Sequence, residues 1–77
     1  MAVGFVLITT IPGKEHEVYR GLTKIGGISY SQILFGEYDI ISKVEAADFG
    51  GIGRIVVDKI RTIPGVVDTK TLTGIQL

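Results

Sequence analysis

The sequence predicts an α+β domain in which strands and helices follow the order β-α-β-β-α-β. Three observations lead there. Apolar, β-branched runs alternate every second residue, two intervening segments repeat apolar residues three and four apart, and Pro-Gly or Gly-Gly pairs stand at the junctions.

The first strand is Val3 to Thr10, with Val3, Phe5 and Leu7 on one face and Val6 and Ile8 on the other. A strand apolar on both sides expects a core on each. Ile11-Pro12-Gly13 breaks it, and from Lys14 the residues Val18, Leu22 and Ile25 mark the buried stripe of an amphipathic helix. Glu15 and Glu17 in its first turn and Lys24 in its last suit the helix dipole, and Gly26-Gly27 supplies the stop.

The second strand is Ile28 to Phe35, in which Ile28, Tyr30, Gln32 and Leu34 alternate with Ser29, Ser31, Ile33 and Phe35. Gly36-Glu37-Tyr38-Asp39 interrupts it, and the third strand, Ile40 to Glu45, follows so closely that the two must form an antiparallel hairpin. Asp48 is placed to cap a second helix whose apolar positions are Phe49, Ile52, Val56, Ile60 and Ile63. Gly50, Gly51 and Gly53 weaken its start by up to about 1 kcal/mol each, so that turn is either frayed or kept small for a close contact. Pro64-Gly65 ends the helix and Val66 to Leu77 forms the fourth strand.

This order is the ferredoxin-like split βαβ arrangement. Right-handed crossovers place both helices on one face of a four-stranded antiparallel sheet. The other face stays bare, and its apolar side chains predict packing against the same face of a second chain. The tetrapeptide Thr-Ile-Pro-Gly occurs at 10–13 and again at 62–65. One copy enters a helix and the other leaves one, so the repetition reads as coincidence.

Composition agrees with an obligate partner. A chain of 77 residues is a single domain, 1–77, and one this short buries only about 60% of its unfolded surface. Its core supplies roughly 3–5 kcal/mol at most. With no cysteine and only one histidine, His16, neither disulfides nor a typical metal site is on offer. Self-association remains, and a hydrophobic fraction of 45% with mean hydropathy +0.42 favours it. Lys plus Arg and Asp plus Glu each number eight, with no basic run, which argues against direct nucleic-acid binding. The apolar start lacks the basic flank of a leader and the roughly 20 residues of a membrane span. The expected compartment is the cytoplasm.

Three stretches carry a resemblance: Gln32 to Ile40 with its G-x-Y-D turn, Ile60 to Val66 with I-P-G-V, and Thr69 to Leu72 with T-x-T. Together, in this frame, they resemble the effector-binding domain of the Lrp/AsnC family of feast-and-famine regulators, called the regulation-of-amino-acid-metabolism domain, over nearly the whole chain. The resemblance implies a domain that dimerises through its sheet, forms rings of eight as a tetramer of dimers, and binds free amino acids between dimers. Family members carry an N-terminal helix-turn-helix, whereas this sequence opens on its first strand. A stand-alone sensing domain is therefore expected, reaching DNA only through a full-length helix-turn-helix partner.

The family pattern falls on Gly36, Tyr38, Asp39, Thr69 and Thr71. An amino acid needs an anionic acceptor for its ammonium, which Asp39 offers. It also needs donors for its carboxylate, which backbone N–H groups at the Gly36 turn and threonine hydroxyls offer. Plainer roles stand beside these: Asp39 bonding turn backbone, Tyr38 packing at a subunit interface, and the threonines as an ordinary β surface. His16, Arg20, Arg54, Lys59 and Arg61 read as solvated helix residues.

An effector-binding module without enzymatic activity and without a cofactor is the leading expectation. Its alternatives are a small cofactor-free dimeric enzyme of the monooxygenase or isomerase type and a ligand-independent structural adaptor. The first alternative lacks any nucleophile and base pairing in the sequence.

Overall fold

The computed structural model describes residues 1–74. Strand β1 (Ala2–Thr10) leads to helix α1 (Glu15–Leu22), then to β2 (Ile28–Ile33), β3 (Ile40–Ala46), helix α2 (Phe49–Ile55) and β4 (Val66–Thr73). The four strands order as β2-β3-β1-β4 and every neighbouring pair is antiparallel. The expected ferredoxin-like fold is therefore the observed one. No helix among the described residues is long and apolar enough to cross a membrane.

The pleat divides β1 as its alternation requires. Val6 and Ile8 are fully buried beneath the helices with Val18, Leu22, Ile40, Val44 and Ile60. Leu7 is half-buried and Phe5 is 38% exposed on the side that no helix covers. One polar pair is tucked into the helix side, Ser31 Oγ and Ser42 Oγ at 2.8 Å, which satisfies both hydroxyls where water does not reach Ser42.

Several boundaries differ from the sequence expectation. Helix α1 ends at Leu22, so Ile25 reaches the core from the turn beyond it and Lys24 lies outside the helix. Strand β2 stops at Ile33 and leaves Leu34 and Phe35 in the connection. Its faces also differ. A bulge between Ile28 and Tyr30 gives Ser29 no partner of its own, so Ile28 lies on the helix side with Ser31 and Ile33, away from Tyr30 and Gln32. Strand β4 is described to Thr73, and the remainder of the expected strand, 75–77, lies outside the described residues.

Asp48 caps α2 as its residue type predicts, with extended backbone and Oδ1 accepting the Gly51 N–H at 2.7 Å. Gly51 resolves one of the glycine questions. A Cβ there would sit 2.9 Å from the Ala46 Cβ, so the helix start is kept small to lie against β3. Beyond Ile55 the helix widens into a π turn, Val56–Ile60, closed by the Arg61 N–H donating to the Val56 carbonyl at 2.9 Å. The wider turn keeps Val56 and Ile60 both buried.

The repeated tetrapeptide has a shared physical cause. At each copy the residue after glycine donates to the isoleucine carbonyl, Lys14 to Ile11 at 2.9 Å and Val66 to Ile63 at 3.2 Å. Gly13 and Gly65 take φ of 88° and 103°, the requirement of a type II turn with proline before glycine. The two turns touch, because the Ile11 N–H donates to the Gly65 carbonyl at 2.8 Å.

Candidate functional site

The connection between β2 and β3 folds back on the end of β1 through Asp39. Its backbone N–H donates to the Ile8 carbonyl at 3.0 Å, and its Oδ2 accepts the Thr10 N–H at 2.7 Å. The side chain thereby continues the β ladder where β3 has not yet begun. A further bond, Leu34 N–H to the Asp39 carbonyl at 2.8 Å, closes the loop. Thr10 Oγ1, beside this joint, is buried without a hydrogen-bond partner among the described residues.

This loop shapes a hollow of about 610 Å³ lined by Glu15, Ile33, Leu34, Phe35, Gly36 and Asp39. Glu15 enters from the first turn of α1, oriented by the Gly13 N–H donating to its Oε1 at 2.7 Å. Each carboxylate offers about four lone-pair sites, so one backbone bond leaves both Asp39 and Glu15 with acceptor capacity. The opposite wall is apolar, with Leu34 partly and Phe35 wholly exposed. No lysine or arginine lines the hollow. The arrangement suits an ammonium next to an apolar group and provides no cation for an acid.

The expected site residues divide accordingly. Gly36 and Asp39 line this hollow; Tyr38, Thr69 and Thr71 do not. Tyr38 is half-buried. Thr69 pairs with Ile8 and Thr71 with Val6 on the strand beyond β1. Two inter-strand spacings, about 9–10 Å, therefore separate Thr69 from Asp39. Thr69 Oγ1 accepts from Arg61 Nε at 3.0 Å, and Thr71 is exposed. Glu15 is the site residue that sequence reasoning missed. Its position after Pro-Gly marks a helix start, and only the tertiary approach of the hairpin gives it a second use.

A second hollow, of about 740 Å³, opens at the other end of β1 between Met1, Phe49 and Thr73. It is larger, but its one carboxylate, Asp48, is committed to capping α2. The hairpin hollow is the better candidate because its carboxylates retain free acceptors. Among the described residues no three His, Asp or Glu side chains gather as a metal site would need.

The sequence matches the family model described as the Lrp/AsnC ligand binding domain over residues 3–76. An uncharacterized HTH-type transcriptional regulator of Pyrococcus furiosus is 41% identical over 73 residues, covering 91% of this chain and 49% of the regulator. The chain spans about half the length of the curated relatives it matches. Among solved structures, FFRP-DM1 has a TM-score of 0.91 at 33% identity, covering 97% of this chain and 100% of that one. A Neisseria meningitidis transcriptional regulator solved as an L-Met complex has a TM-score of 0.85 at 17% identity, covering 97% of this chain and 50% of that one. At that identity the likeness is one of fold.

Proposed function

The chain belongs to the Lrp/AsnC ligand-binding domain family, and from that premise we propose that it senses a free amino acid at a seam between subunits and conveys its presence to transcription through assembly. One observation carries the reading: the hairpin hollow is half of a zwitterion site. Asp39 and Glu15 accept an ammonium, Ile33, Leu34 and Phe35 receive an apolar side chain, and nothing cationic awaits the carboxylate. Backbone N–H groups near Gly36, with the hydroxyls of Tyr38, Thr69 and Thr71 brought by a neighbouring subunit, complete it. The Neisseria regulator of the same fold was solved with an amino acid, L-Met.

Assembly supplies that neighbour. The sheet face away from the helices exposes Phe5 and Leu72 around half-buried Leu7 and Ile41, and two such faces pack as a homodimer. Dimers join further, as a tetramer of dimers, and the amino acid bound between them favours one assembly over another by mass action. A helix-turn-helix regulator of the same family is the partner through which DNA is reached. Catalysis has no part in this scheme, no cofactor is needed, and the cytoplasm is its setting.

Isothermal titration of the assembled protein with each proteinogenic amino acid tests the reading. Binding at millimolar concentration or tighter by at least one of them is expected. No heat from any, with assembly confirmed by light scattering, would leave a ligand-independent adaptor as the better account.

A further inference from the structure

We propose that Lys43, Glu45, Asp68 and Lys70 are the side chains by which the uncovered sheet face selects a second copy of this chain. The inference rests on the sheet-to-sheet pairing proposed above and adds which residues choose the partner.

Their placement follows from the strand registers. Phe5 stands between Lys43 on β3 and Leu72 on β4, and Leu7 between Ile41 and Lys70. Val3 faces Glu45 on β3, and Thr9 faces Asp68 on β4. Strand β1 therefore lays an uncharged stripe along the middle of the face. The charges flank it on both sides, one cation and one anion on each strand. None of the four forms an ion pair within the chain; among the described residues the ion pairs are Lys14 with Glu17 and Arg54 with Asp48.

An apolar face closing on any surface draws these four charges out of water as well. Partial burial without compensation is unfavourable, so the covering surface must bring opposite charges to the same places. A second copy does so by symmetry. Lys43 and Glu45 lie two residues apart on one face of β3, so a two-fold axis crossing the strand between them sets each lysine against the glutamate of the other copy. Asp68 and Lys70 on β4 have the same property. In an isologous contact each such pair occurs twice. A sheet with a different charge order is left with like charges opposed, which excludes related sheets of the same fold.

Charge reversal tests this with two variants of the full chain. Lys43→Glu with Lys70→Glu makes the face wholly acidic, and Glu45→Lys with Asp68→Lys makes it wholly basic. Sedimentation equilibrium at low salt should show each variant alone associating at least about tenfold more weakly than the parent. An equimolar mixture should recover association to within a fewfold. Far-UV circular dichroism checks folding. If a reversed variant unfolds, Lys43→Gln with Lys70→Gln and Glu45→Gln with Asp68→Gln replace the two, each again expected to associate more weakly than the parent.

A dimeric parent whose variants associate as tightly as it does overturns the charge assignment and leaves the sheet pairing standing. A mixture that stays apart overturns it too. A parent that is monomeric at micromolar concentration removes the pairing itself.

Discussion

The backbone N–H of Thr10 donates to the Asp39 carboxylate at 2.7 Å across 29 residues of sequence. Asp39 thus has a structural duty alongside its candidate role in ligand binding, and two substitutions separate them. Asp39→Ala strands the Thr10 donor in a partly buried place and should destabilise the fold by about 1–3 kcal/mol. Asp39→Asn retains an oxygen for Thr10 and removes the charge. It should unfold in urea close to the parent while losing at least about tenfold in amino-acid affinity, the step of a charge-assisted contact.

Glu15 offers a second, independent reading of the ammonium end. Glu15→Gln retains an acceptor for the Gly13 N–H, so its urea midpoint should stay where it is. Its affinity for amino acids should fall severalfold, and a carboxylic acid lacking the amine should bind no worse than to the parent. Equal loss for both compounds would mean that Glu15 does not meet the ammonium.

The three glycines that open α2 should respond in opposite senses to alanine. At Gly51 the added methyl meets the Ala46 Cβ at 2.9 Å, and overpacking of about 1–3 kcal/mol outweighs the gain in helix propensity. At Gly53 nothing lies within 4 Å of the added atom, and stability should rise by up to about 1 kcal/mol. Thermal melts of the two variants check both signs.

Asp48→Ala should cost about 0.5–2 kcal/mol through loss of the cap, and Asp48→Asn far less. The nearby Arg54, 4.0 Å from Asp48 and largely exposed, adds little, so high salt should leave the difference between the two variants nearly unchanged.

What could be read from the sequence was whatever the chain decides locally. The Asp48 cap, the Pro-Gly turns and the two-sided β1 follow from residue type and spacing alone. The bulge at Ser29 escaped that reasoning, because a skipped partner belongs to the pairing with β3 and leaves no mark in the alternation of β2 itself. The π turn escaped for a related reason: Val56 and Ile60 keep helical spacing whether the turn between them is tight or wide. At the site, Gly36 and Asp39 were visible as turn chemistry, whereas Glu15 becomes a neighbour of theirs only once α1 packs beside the hairpin.

The central position of β1 bears on how the chain is made. Both strands that flank it, β3 and β4, come later in the sequence. During synthesis the most apolar strand emerges first and must wait, unpaired, for residues 40–46 on one side and 66–73 on the other. Such delayed closure slows folding and lengthens exposure to wrong partners on the ribosome. Chaperone dependence in the cell is therefore set by the order in which the strands leave the exit tunnel.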